Sequence, residues 1–309
     1  MKRVAGVDIE SGRTDFLVMS VRSIWLLAVA LITLLPVGCG DDPGDDDTPI
    51  ALRVGLIPDR PVDAIERVFR PLLDYIAAET GFAIELVLPA TYEETLELLG
   101  NGDLDMVRLG GFSYVVARQK FGAEALVTRD VDLMFRSVII AHQDLGADDL
   151  LSLRGRSLQF GAGYSTSGHV MPRIFMEGAG IVPEEFFSTV KYGRNHIDTV
   201  QAVLAREIDA GAVNSVILER ALRDDEEMKN ALRIVWTSPR YANYVWATRA
   251  GMEITKSHAI RGAFLSLSRL NETDKVILDR VGAAGYLPAQ QKNYDMLTAY
   301  VEALELDAQ

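Results

Sequence analysis

Apolar and polar positions fall in alternating strand-like and helix-like blocks from residue 52 to residue 248. Leu52-Arg53-Val54-Gly55-Leu56-Ile57 is a short apolar run closed by Pro58-Asp59, the pattern of a buried strand. Val62, Ile65, Val68, Phe69, Leu72, Leu73 and Ile76 then recur at helical spacing and predict a helix over 62–80, with Pro71 at a kink or near a helix start. A second strand is predicted over 83–88 and ends at Pro89. A helix over 92–99 stops at Asn101-Gly102, and a third strand over 104–109 runs into Gly110-Gly111. Repeated β-α-β units of this kind predict an α/β fold with a mostly parallel sheet covered by helices.

A second set of blocks follows. Strands are predicted over 138–141, 159–162, 190–192 and 210–213, with helices after Ser165 and over 199–206. Residues 241–248 read as the return of the chain to the first unit, and 257–309 as mainly helical. The pattern therefore divides into two lobes, 51–137 with 243–309 and 138–242. A ligand cleft is expected between them, at the carboxyl ends of the strands.

Composition narrows the setting. With 309 residues, 49% of them hydrophobic, the chain has enough apolar material for two cores. A net charge of −13 argues against nucleic acid as a partner. The single cysteine, Cys39, follows Arg22 and the apolar run over 24–38, which is short for a membrane span and suits a signal-peptide core. Gly38-Cys39 resembles a bacterial lipobox, although Pro36 replaces its usual leucine. A signal peptide over 1–38 and lipidation of Cys39 are expected; a cleaved signal with an incidental cysteine or a short anchor is the alternative. Residues 1–18 carry Asp8, Glu10 and Asp15 and no signal character, which points to translation from Met19. Residues 39–50, with five aspartates, read as the lipidated cysteine and a solvated tether.

The chemistry concentrates at Tyr164-Ser165-Thr166-Ser167-Gly168-His169, where an apolar run gives way to a helical pattern. The first turn of a helix presents backbone N–H groups without intrahelical partners and the positive end of the helix dipole. Three successive hydroxyls there add donors suited to a tetrahedral oxyanion; N-capping alone is the plainer explanation. Ser113, after Gly110-Gly111, offers either a cap or a second helix N-terminus from the opposite lobe. The four histidines and one cysteine have no metal-ligand spacing, so neither a metal nor a cofactor is expected. A hydrolase would need a Gly-x-Ser-x-Gly elbow or a nucleophile–base pair, and neither is legible.

These blocks resemble the phosphate/phosphite/phosphonate-type solute-binding proteins of ABC importers. The resemblance is carried by Arg53-Val-Gly-Leu-Ile-Pro-Asp59, Gly102-Asp-Leu-Asp105, Phe112-Ser113-Tyr114-Val115, Ser165-Thr166-Ser167-Gly168 with Pro172, His196 and Asp209-Ala-Gly-Ala212. It continues through Pro239, Trp246, Gly285-Tyr286-Leu287-Pro288-Ala289 and Tyr294-Asp295. It implies a two-lobed type II periplasmic-binding fold that closes over an anion by hinge motion. By this likeness Ser165, Thr166 and Ser167 hold the phosphonyl oxygens, His196 donates to one of them, and Tyr92 reaches the cleft from the first lobe. His169, Ser113, Phe135, Asn214 and Asn243 complete the expected ligand-facing set.

Departures from the family bear on the ligand. Phe135-Arg136-Ser137 stands where Tyr-x-Ser is frequent. Val216, in Asn214-Ser215-Val216, occupies the region where aminoalkylphosphonate binders carry a glutamate, and Asn243 replaces an aspartate. A small or fully ionised anion is therefore expected: phosphate, phosphite or a short alkylphosphonate. Arg108 replaces an apolar aromatic, and a buried guanidinium needs an anionic partner: a nearby aspartate is expected, and neutralising a dianionic ligand is the alternative. The function expected is that of an exported, lipid-anchored, monomeric binding protein serving an ABC permease and ATPase, with no covalent chemistry. A sensory protein feeding a membrane histidine kinase is the alternative that the sequence leaves open, and a secreted hydrolase is a remote one.

Overall fold

In the computed structural model the described residues are 51–223 and 225–307. The expected signal peptide, the Met19 start, Cys39 and the aspartate-rich tether lie outside them. In chain order, β1 (Ala51–Leu56), α1 (Val62–Thr80), β2 (Ala83–Val87), α2 (Tyr92–Gly100), β3 (Met106–Leu109), α3 (Gly111–Phe121) and β4 (Glu124–Arg129) build the first unit. After a crossing come β5 (Ser137–His142), β6 (Ser157–Phe160), a π-helical turn (Thr166–Val170), α4 (Met171–Gly178), α5 (Pro183–Phe186), β7 (Thr189–Tyr192) and α6 (His196–Leu204). They are followed by β8 (Ala210–Asn214), α7 (Ser215–Arg223), α8 (Glu226–Ala231) and β9 (Leu232–Thr237). The chain then returns through β10 (Val245–Thr248), α9 (Ile254–Ser266), α10 (Glu272–Val281), β11 (Tyr286–Pro288) and α11 (Asp295–Asp307).

Two sheets result, ordered β11-β4-β10-β3-β1-β2 and β7-β6-β8-β5-β9. Both are mixed, which corrects the expectation of mostly parallel pairing. β1, β2, β3 and β4 point one way, but β10 inserts antiparallel between β3 and β4, and β11 pairs antiparallel at the edge. In the second sheet β6, β7 and β8 are mutually parallel, while β5 runs against both β8 and β9. The reason is geometric. β5 and β10 begin where the chain passes from one sheet to the other, so each enters its new sheet from the cleft side and runs opposite to the strands that end there.

Period-two burial along β3 sorts its side chains. Val107 and Leu109 join a core with Leu96, Val115 and Tyr294, whereas Met106 packs on the α1 side with Phe69, Leu72 and Phe264. Pro71 lies inside α1 and lacks the N–H that would serve the Arg67 carbonyl; Arg280 Nη1, from α10, reaches that oxygen at 3.4 Å. Two further apolar clusters, one around Phe160 and Met176 and one around Val200 and Leu218, sandwich the second sheet.

The two chain crossings lie side by side. Phe135 and Tyr241 exchange backbone hydrogen bonds at 2.9 and 3.1 Å, and the Asn243 N–H donates to the Asp132 carbonyl at 2.9 Å. Three strands escape the sequence reading: β4, β9 and β11, the last interrupting a region read as mainly helical. The helix expected over 199–206 begins earlier, at His196, because the Asn195 side chain accepts the Asp198 N–H and caps it there.

Candidate functional site

The hydroxyl-rich turn follows β6, and its shape comes from close backbone approach. Gly161 N–H donates to the Gly168 carbonyl at 2.8 Å, and a Cβ at Gly168 would lie 2.9 Å from His196 Cε1. Only glycine at 168 lets the imidazole sit against the turn. Ser165 Oγ accepts the Gly168 N–H at 3.1 Å, and both the His169 and Val170 N–H groups donate to the Ser165 carbonyl. The resulting π-helical turn is wider than an α-turn, a geometry common at functional sites. Ser165, Thr166 and Ser167 are each 2% exposed, so all three hydroxyls are buried between the sheets.

His196, at the start of α6, is fixed from both ends. Its backbone N–H donates to the Asp59 carbonyl at 3.3 Å, and its Nδ1 accepts the Asn214 N–H at 3.2 Å. The remaining proton of a neutral ring therefore sits on Nε2, 3.5 Å from Ser167 Oγ. Burial pulls the imidazole pKa down to about 4, against the attraction of Asp59, so the ring is neutral near pH 7.

The opposite lobe contributes the N-terminus of α3. Phe112 N–H donates to Thr166 Oγ1 at 2.9 Å, and Ser113 Oγ donates to the Tyr164 carbonyl at 2.9 Å. Gly111 N–H reaches Asn243 Oδ1 at 3.5 Å, while Asn243 Nδ2 is buried with no hydrogen-bond partner. Tyr92, the first residue of α2, is buried, with Ser165 as a hydrogen-bonding neighbour; burial pushes its phenol well above the ordinary range. Tyr241 bonds Ser137 Oγ at 2.6 Å and also neighbours Ser167.

Beneath these donors lies a buried charge cluster. Asp59 pairs with Arg60 at 2.8 Å and with Arg108 at 3.0 Å, so Arg108 has the aspartate partner its burial requires. The Arg108 guanidinium also lies 3.6 Å from the Tyr244 ring centre and 4.7 Å from that of Phe69, with Nη2 unpartnered. Burial alone would raise the Asp59 carboxyl, but Arg60 and then Arg108 hold it far below the usual carboxylate range. Two guanidiniums against one carboxylate leave a net positive charge close to the donor-lined turn.

The remaining candidates separate from this group or act within it. His169 points to the other side of the turn, between Phe160 and Tyr192, with Nδ1 on the Gly163 carbonyl at 2.7 Å and Arg173 Nε donating to Nε2 at 3.1 Å. Its partners differ from those of Ser167 and His196, so it is not brought to the cleft. Asn214 spends its amide on structure: Nδ2 donates to Tyr244 OH at 2.8 Å and Oδ1 accepts the Ile217 N–H at 2.9 Å. Phe135 packs against Tyr241 and Tyr244 at the crossings. Asp59, Arg60, Tyr241 and Tyr244 were not singled out as site residues; of these, Asp59 stands in a segment that carries the resemblance. Among the described residues no cluster of histidine, cysteine or carboxylate side chains is arranged to hold a metal ion.

A family model described as ABC transporter, phosphonate, periplasmic substrate-binding protein matches residues 54–294. The probable ABC transporter phosphite-binding protein PhnD1 of Prochlorococcus marinus is 28% identical over 277 residues, covering 80% of this chain and 87% of that protein. The phosphate-import protein PhnD of Mycolicibacterium smegmatis is 24% identical, over 71% of this chain and 74% of its own length. Among solved structures, PhnD1 of Prochlorococcus marinus in complex with methylphosphonate superimposes with a TM-score of 0.78 at 26% identity, covering 83% of this chain and 99% of that one.

Proposed function

The chain belongs to the phosphonate-type periplasmic substrate-binding proteins of ABC transporters, and from that premise we propose that it captures phosphate, phosphite or a short alkylphosphonate and delivers it to an ABC importer. The observation that carries this reading is the convergence of Ser165, Thr166, Ser167 and the His196 Nε2–H on one lobe with the α3 N-terminus on the other. Backbone and hydroxyl donors with a helix dipole suit a tetrahedral oxyanion without a directly paired arginine. The similarity to proteins named for phosphite and phosphate and to a methylphosphonate complex supports the same ligand class.

The lobes are taken as 51–137 with 243–309 and 138–242, with Phe135 and Asn243 at the crossings and Tyr92 and Ser113 completing the grip. Binding works by closure around the anion, and the chain performs no covalent step. Residues 1–38 serve as the export signal and Cys39 as a lipid anchor, which keeps a monomeric receptor near its permease. Calorimetry with phosphate, phosphite and methylphosphonate tests the reading. A protein with both Ser165→Ala and Ser167→Ala is expected to lose about tenfold or more in affinity, one to two hydrogen bonds' worth. Undiminished binding in that variant removes the site assignment.

A further inference from the structure

We propose that the cleft selects an anion with no protonated oxygen, the dianion of phosphite or of a short alkylphosphonate, over its monoanion and over phosphate, whose dianion keeps one P–OH, and that Asn243 sets this preference; the inference rests on the phosphorus-oxyanion reading above. It comes from a census of donors and acceptors. Ser165 Oγ accepts from the Gly168 N–H and Thr166 Oγ1 from the Phe112 N–H. Ser167 Oγ faces the Nε2–H of His196, whose tautomer the Asn214 N–H fixes. A hydroxyl whose oxygen already receives an N–H turns its own proton outward. Thr166 Oγ1 is thereby set to donate, and Ser165 and Ser167 share the turn with the protonated Tyr92 and Tyr241 phenols, so N–H and O–H donors outnumber acceptors there.

Asn243 completes the pattern. Its Oδ1 faces the Gly111 N–H, which orients the amide and leaves Nδ2 as the buried, unpartnered end. A Cβ built at Gly110 would lie 2.6 Å from Thr166 Oγ1 and 3.6 Å from Asn243 Oδ1, so this amide and the hydroxyl turn meet at the α3 N-terminus. The nearby carboxylates provide no free acceptor: Asp59 is held by Arg60 and Arg108, and Asp132 by Arg129. A protonated oxygen on the ligand would face donors, and a buried donor left facing another donor is costly. A dianion with no protonated oxygen meets this excess of donors without such a clash.

The protein is electrostatically quiet across the relevant range. Around Asn243 stand Asp132 and Arg129 from the β4 end, the Tyr241 and Tyr244 phenols beside it in sequence, and Tyr294, packed on Gly111. From the rest of the cleft come Tyr92, His196 and the Asp59, Arg60 and Arg108 cluster. Burial raises all four phenols and lowers His196 to about 4. From roughly pH 5.5 to 8.5 the proton event at the site is then the ligand's own second ionisation.

Titration calorimetry of the purified protein with methylphosphonate and with phosphite, from pH 5.5 to 8.5, tests the inference. Apparent affinity should fall about tenfold for each pH unit below the ligand's second ionisation, because only the dianionic fraction binds. Asn243→Asp, which supplies an acceptor, should weaken binding at pH 8.5 at least tenfold and flatten or reverse the profile. Affinity that is flat or rises as the pH falls in the unaltered protein overturns the inference even if the variant does not fold. Failure of phosphate, phosphite and methylphosphonate to bind at every pH would instead remove the ligand class itself, and the inference with it.

Discussion

His196 receives the backbone N–H of Asn214 on Nδ1 at 3.2 Å, and this one contact decides which ring nitrogen carries the proton offered toward Ser167. The last residue of β8 thus sets the donor at the start of α6. A protonated ring would turn Nδ1 into a donor facing the Asn214 N–H.

Stability should therefore fall in mild acid. The folded imidazole has its pKa lowered from 6.5 to about 4, so between these values the unfolded chain binds more protons than the folded one. Its contribution is complete above pH 6.5, declines as the pH falls toward 4, and changes no further below that. From pH 7 to pH 5 the loss from this one group is about 2 kcal/mol. Urea unfolding at the two pH values, compared between the unaltered protein and His196→Gln, should show a smaller acid loss in the variant. Equal losses would contradict the buried neutral ring.

Asp59 is expected to be structurally costly to neutralise. It counters the buried guanidinium of Arg108 and the partly exposed one of Arg60, and removing one partner of a buried ion pair typically costs about 3–5 kcal/mol. Asp59→Asn should lower unfolding stability by that order, and adding Arg108→Met to it should recover part of the loss. Chemical denaturation of the two single variants and the double variant gives the coupling directly. Strict additivity would mean that Arg108 does not depend on Asp59.

His169→Ala should leave ligand affinity within about twofold while lowering stability, since the ring packs between Phe160 and Tyr192 and accepts from Arg173. A tenfold loss of affinity in calorimetry would return His169 to the cleft, where the sequence had suggested it.

Much of the framework was legible because periodicity reports burial, and burial dominates β1 and β3 and one face of α1 and of α2. The Ser165-Thr166-Ser167 turn was legible because strand, glycine and hydroxyls follow one another in the chain. β4 and β9 were not, since Glu124-Ala125-Leu126-Val127-Thr128-Arg129 and Leu232-Arg233-Ile234-Val235-Trp236-Thr237 owe their strand state to neighbours distant in sequence. The same limit hid strand direction, which depends on where the chain crosses between sheets. Asp59 belonged to a quoted segment, yet its pairing with Arg108 spans 49 positions and no local spacing encodes it. His169 packs away from Ser167 and His196 because adjacent residues on a helical turn face different sides.

Thr166 connects the two lobes, and its removal should act on closure more than on the fold. Its Oγ1 accepts the Phe112 N–H at 2.9 Å, capping α3 from across the cleft, while Ser113 Oγ reaches back to the Tyr164 carbonyl. Thr166→Val keeps the shape and deletes the acceptor, leaving a buried N–H unpaired in the closed form alone. That penalty is about 1–3 kcal/mol, and an open form escapes it because water can reach α3. Ligand affinity should fall roughly five- to a hundredfold by the same energy, and the radius of gyration from small-angle scattering without ligand should rise. The thermal midpoint should change little. A lowered midpoint with unchanged affinity would assign Thr166 to the fold and not to closure.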